Sequence, residues 1–248
     1  MSDAPVVNLD REAFWHDPYP ALARMRAHAP IAMVPELGAV LLTRHADVFA
    51  CEKNVAVFSS AQPGGLMTQL MGENMMRKDG AAHLSERRQM LPTLAPATVR
   101  AHWRARFEQH AHAALDALTG VAAFDLVGDY ALPVSANALR EITGLTTLTP
   151  AEMNAVSQAM IDGCANYAGD AAVFDAAATY DLPRSTAKAL AVGAGPHFCA
   201  GAAAARCLVA EVALPLLFER RPRLRLAGAV SFGGWAFRGP LALPVRTD

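Results

Sequence analysis

Charge is scarce in this chain. Only 18% of its 248 residues are Asp, Glu, Lys or Arg, and they balance to a net charge of −1. Globular domains usually carry about 25% charged residues. With no basic excess there is no electrostatic footprint for nucleic acid, so no nucleic-acid partner is expected. Apolar residues reach 53%, with a mean hydropathy of +0.18. Even so, no apolar run has the length of roughly 20 residues needed to cross a bilayer. The opening MSDAPVVNLDREAFW lacks a charged start followed by an apolar stretch, so no signal peptide is expected. The four cysteines are scattered and none forms a CxxC, which gives a zinc site no support. They fit a reducing, cytoplasmic compartment. Linkers, repeats and low-complexity stretches are missing too, so residues 1–248 read as a single domain. Ser59, Ser60 and Ser231 have no companion base at a readable spacing, so no nucleophilic triad is visible.

What is present concentrates in nine residues, Gly193-Ala-Gly-Pro-His197-Phe-Cys199-Ala-Gly201. A cysteine binds metal as thiolate, so something must stabilise the negative sulfur. Backbone N–H groups and a helix N-terminus supply that. The stretch from Ala200 to Phe218 reads as such a helix, rich in alanine and with Leu208, Val212 and Leu216 spaced by four. Gly193 and Gly195 permit positive φ and close approach to a flat ligand. Gly201 leaves no side chain to collide with a macrocycle. Haem held by a Cys thiolate suits such a loop.

The other cysteines, Cys51, Cys164 and Cys207, read as small buried hydrophobes. A dinucleotide loop is excluded because G-x-G-x-x-G needs glycine where Phe198 stands. His110 and His112 lie two apart and do not share a helix face, so they read as a solvated helix.

The cysteine loop resembles the haem-ligand loop of cytochromes P450, F-G-x-G-x-[HR]-x-C-x-G. It matches at Gly193, Gly195, His197, Cys199 and Gly201, and Ala205-Arg206 falls where that family's helix has an Ala-Arg pair. Val192 replaces the leading Phe, which in the family packs near the sulfur and tunes the iron's potential. Upstream, Asp79-Gly-Ala-Ala-His83-Leu-Ser-Glu-Arg87 resembles the family segment D-P-x-E-H-x-x-x-R, whose His and Arg reach the haem propionates. Positions i and i+4 put His83 and Arg87 on one helix face, and arginine suits a carboxylate. Asp17 to Arg26, Val40 to Val48, Phe58-Ser59-Ser60, Phe124 to Tyr130, Leu139 to Leu145, Pro222 to Leu226 and Trp235 to Val245 resemble further family segments.

Two family motifs have no counterpart. The distal helix with A-G-x-[DE]-T is missing, and Ala168-Gly169-Asp170 is an echo without the threonine. No glutamate has arginine three residues later, so E-x-x-R is missing as well. One internal deletion with its junction near residues 175–180 explains both. No distal acid or threonine can therefore be named as catalytic.

The resemblance implies a mainly α fold with small β elements, a truncated cytochrome P450-like domain. It implies haem b, with Cys199 on the iron and His83, Arg87 and His197 on the propionates. It further implies monooxygenase-type oxidation of a small apolar organic substrate. Electrons would come from NAD(P)H through a ferredoxin or flavodoxin-type donor, with no membrane partner. The alternative is a non-monooxygenase haem binder, sensor or peroxide-dependent remnant. Surfaces bared by the deletion would be covered by a homo-oligomer or by rearranged helices. The cluster Arg220-Arg221-Pro-Arg223-Leu-Arg225 reads as a solvated helix end and strand, with a redox-partner face as the other possibility.

Helices are expected near 18–28, 45–52, 82–91, 97–118, 129–143, 150–164 and 200–219. Strands are expected near 31–35, 39–43 and 222–227, with a closing pair within 229–246. Pro92 and Pro96 should break the pattern after Arg88. Thr149-Pro150-Ala-Glu152 should start a helix with a capping box.

Overall fold

The computed structural model describes residues 3–166, 195–234 and 238–247. Val192, Gly193, the Ala168–Asp170 echo and the junction near 175–180 lie outside the described residues. The chain opens with α1 (Arg11–His16) and α2 (Tyr19–His28), followed by the antiparallel pair β1 (Ile31–Val34) and β2 (Ala39–Leu42). Then come α3 (His45–Lys53), α4 (Leu66–Met71), α5 (Gly80–Leu94), the single turn α6 (Pro96–Thr98) and α7 (Arg104–Ala117). After β3 (Ala123–Asp125) run α8 (Leu132–Thr143) and α9 (Pro150–Cys164). Past the cysteine loop, α10 (Ala202–Arg206) continues through a wider π-helical stretch (Cys207–Ala213) into α11 (Leu214–Arg220). The strands β4 (Leu224–Leu226), β5 (Ser231–Gly233), β6 (Gly239–Ala242) and β7 (Pro244–Thr247) close the chain. The architecture is mainly α with small sheets, as the sequence implies.

Local chemistry accounts for most boundaries. At α9 the Thr149 hydroxyl accepts from the Glu152 N–H, and the Glu152 carboxylate accepts from the Thr149 N–H at 2.7 Å. That is the expected capping box. The expected break at Pro92 does not occur, because α5 runs through it to Leu94. Proline costs a helix one backbone donor and a steric contact, and packing elsewhere on the helix can outweigh that near its end. Pro96 is the true stop. It forces Ala95 into an extended conformation (φ −61°, ψ 144°), as the residue before proline prefers.

One cluster forms the main core. Phe107, Ala111 and Leu115 of α7 meet Val134 and Ala138 of α8, and Cys207, Val212 and Leu217 of the C-terminal helix. Phe124 of β3 and Val245 of β7 close it from the sheet, whose strand order is β3-β7-β4. Burying a side chain such as Phe107 or Leu115 stabilises by about 1.5–3 kcal/mol. The Tyr130 hydroxyl donates to the Ala213 carbonyl at 2.7 Å and ties the start of α8 to the C-terminal helix. Burial pushes its phenol up to about 12. A smaller cluster, Leu9, Met25, Ala32 and Val34, holds α2 against β1.

The core fixes the direction of the C-terminal helix, and so the place of the loop that feeds it. The basic cluster also serves this end of the molecule. Arg220 pairs with Asp116 at 2.8 Å, and Arg221 donates to the Leu118 and Val121 carbonyls.

Candidate haem-thiolate site

Cys199 sits three residues before α10, and its carbonyl accepts from the Ala202 N–H at 3.2 Å. It is 9% exposed and makes no disulfide. Gly201 is the residue before α10, with φ −82° and ψ 1°. Gly195 has φ 67°, the left-handed region that favours glycine. Its close neighbour is the chain itself: a Cβ there would meet the Glu52 carbonyl oxygen at 2.6 Å. The expected close approach therefore involves the end of α3, which locks the start of the loop.

The second half of the site comes from α5. Asp79, His83 and Arg87 recur every four residues and so share a face. All three meet the loop or its neighbours. The Arg87 Nη2 donates to the Phe198 carbonyl at 2.6 Å. The His83 ring is fully buried and lies 4.3 Å from the His197 ring, tilted by 33°. The His197 Nε2 is 2.9 Å from the Asp79 carboxylate. The fold thus brings His83, Arg87, His197 and Cys199 together from segments more than a hundred residues apart in the chain.

Asp79 had no assigned role in the sequence. It stands at the N-cap of α5, where aspartate usually accepts from its own helix. Here it makes no such bond. Instead it accepts from the Ser59 hydroxyl at 2.6 Å and the Ser60 N–H at 2.9 Å, besides meeting His197. The Ser59 hydroxyl, then His197, hold its carboxyl down at about 2, against a desolvation cost. Gly80, where the D-P-x-E-H pattern has proline, adopts φ 58°, an angle closed to proline.

His110 differs from expectation. It is not simply solvated, since its Nε2 lies 3.4 Å from Glu141 of α8. Among the described residues, no group of three or more His, Cys, Asp or Glu could hold a bare metal ion. The donor set at Cys199 suits a prosthetic group instead. It offers one buried thiol ahead of a helix, with two imidazoles and a guanidinium beside it. That is the set for an iron with carboxylate arms.

No family model matches the chain. In sequence it is 42% identical over 88 residues to cytochrome P450 107B1 of Saccharopolyspora erythraea, covering 34% of this chain and 21% of that protein. It is 41% identical over 64 residues to the epothilone C/D epoxidase of Sorangium cellulosum, covering 26% and 15%. The matches thus span about a fifth or less of the relatives' length. In structure it resembles CYP109E1 from Bacillus megaterium in complex with testosterone, with a TM-score of 0.68, 14% identity and coverage of 94% of this chain and 98% of that one. P450BioI, in complex with an acyl carrier protein ligated to hexadec-9Z-enoic acid, gives 0.67 at 16% identity, covering 95% and 100%.

The chain has the fold of the cytochromes P450 and shares local sequence with two of them. That fold is mainly α with small β elements. In the P450 pattern, the loop and the α5 segment are the two haem-facing motifs. Here they lie against each other through the contacts of Arg87 and His197. No helix among the described residues is long and apolar enough to cross a membrane.

Proposed function

We propose that this chain is a single-domain haem-thiolate protein that carries out monooxygenase-type oxidation of a small apolar organic substrate. The observation that carries this reading is the contact of α5 with the cysteine loop. It gathers His83, Arg87 and His197 beside Cys199.

Cys199 would ligate the iron as thiolate. Its carbonyl already accepts from the Ala202 N–H at the start of α10, which fixes the residue ahead of that helix. His83, Arg87 and His197 would hold the two carboxylate arms of haem b, arginine by charge-assisted hydrogen bonds. Gly195 and Gly201 keep side chains out of the loop, the former by conformational need, since Gly195 has positive φ. Burial of Cys199 limits access of water to the sulfur. When bound, haem would supply an iron centre for oxygen chemistry, with electron density pushed toward it by the thiolate. The curated relatives are a cytochrome P450 and an epoxidase, and both names fit this reaction class. Electrons would reach the site from NAD(P)H through a ferredoxin or flavodoxin-type donor.

Turnover tests the proposal. Purified protein loaded with haem is supplied with ferredoxin, ferredoxin reductase and NADPH, together with a panel of small apolar compounds. Oxygenated product coupled to NADPH consumption is expected. Product formed only with added peroxide would replace the monooxygenase reading by a peroxide-dependent one.

A further inference from the structure

We propose that Asp79 is a positioning residue for haem-carboxylate recognition and acts through His197. The inference rests on the haem-thiolate reading above and extends it to a residue outside the ligand loop.

Three separate segments meet at the Asp79 carboxylate. One oxygen lies 2.9 Å from His197 Nε2. The other accepts from the Ser59 hydroxyl at 2.6 Å and the Ser60 N–H at 2.9 Å. Those two serine contacts hold the oxygen that His197 does not use. The Asp79 side chain is 21% exposed and that of His197 is 23% exposed, so both are largely shielded from water. His197 is then held in two ways. Asp79 takes one ring nitrogen, and the buried His83 ring covers a face at 4.3 Å. An imidazole with one nitrogen engaged and one face packed cannot turn freely. Its other nitrogen, Nδ1, is left as the ring atom for a second carboxylate. Partners behind a ligating or recognising histidine commonly set its orientation in this way.

A rival effect has the opposite sign. Asp79 is itself an anion near the place proposed for the propionates, so simple repulsion predicts tighter haem binding when it is neutralised. Orientation through His197 predicts weaker binding. The two are therefore separable by sign.

The full-length protein is titrated with haem and, separately, with haem dimethyl ester, in which both carboxylates are esterified. Soret absorbance and tryptophan quenching report binding. Asp79→Asn should weaken haem binding by about tenfold to a hundredfold, the usual size for loss of such a supporting partner. It should leave the affinity for the dimethyl ester unchanged. Adding His197→Ala to Asp79→Asn should weaken haem no further than His197→Ala alone. Asp79→Glu keeps the carboxylate and should recover much of the affinity.

Equal weakening toward haem and its ester would overturn the proposal, because that is the mark of a merely structural role. Unchanged or tighter haem binding by Asp79→Asn would overturn it as well. Should Asp79→Asn fail to fold by circular dichroism, Asp79→Glu and its His197→Ala double variant decide the same question. Wild-type protein that binds the ester but not haem would overturn the carboxylate step alone. Wild-type protein that binds neither would overturn the haem reading and this inference with it.

Discussion

At the scale of single residues, Asp79 shows how far a side chain's use can depart from its local rule. Aspartate at an N-cap is expected to bond its own helix. At Gly80 the backbone takes φ 58°, and the carboxylate serves Ser59, Ser60 and His197 instead. Those partners lie 20, 19 and 118 residues away in the chain, so no local pattern could announce them. Cys199, His83, Arg87 and His197 were legible because each sits in a short motif. Their mutual packing was not. The low Asp79 pKa of about 2 has a pH consequence. A folded-state pKa below the ordinary aspartate value means the contribution is complete above that ordinary value and fades as pH falls toward about 2. Urea unfolding of wild type and Asp79→Asn should therefore differ at pH 6, and the gap should narrow between pH 4 and 2. A gap that stays constant would show that the ionised carboxylate contributes nothing. Gly195 gives a second residue-scale prediction. Alanine there would hold φ near 67° and press on the Glu52 carbonyl. Gly195→Ala should cost roughly 1–3 kcal/mol in chemical denaturation, by strain at positive φ alone.

At the scale of elements, periodicity and caps located most helices, and pairing located fewer strands. The capping box at Thr149 fixes the start of α9, and Thr149→Ala should cost about 1 kcal/mol by urea denaturation. Short elements carry little sequence signal of their own. Residues Ala123–Asp125 form a strand only because Phe124 lies opposite Val245 on β7, at the far end of the chain. Likewise α1 spans six residues and has no buried member, so it carries no periodic apolar signal. It is held by the Asp10 cap and by Arg238, which donates to the Trp15 and His16 carbonyls. Pro92 misled in the other direction. The rule against proline inside a helix is energetic, and its cost is small two residues from the end of α5, where Pro92 stands. The π-helical stretch Cys207–Ala213 was not visible in a pattern that reads as one even helix.

At the scale of the whole molecule, one core built from α7, α8, the C-terminal helix and a three-stranded sheet sets the direction of the cysteine loop. Phe107, 1% exposed, is central to that core. Phe107→Ala should cost about 3–5 kcal/mol in thermal or urea unfolding. The site depends on this frame, since α5 and the loop meet only when the frame is in place. In the proposed function, Cys199 would hold haem iron as a thiolate. Its most direct test is the reduced, carbon-monoxide-bound absorption spectrum of the haem-loaded protein. A band at the position characteristic of thiolate-ligated haem is expected, lost in Cys199→Ala and kept in Cys207→Ala. The same band in Cys199→Ala, or a wild-type band at the position of histidine-ligated haem, would contradict it.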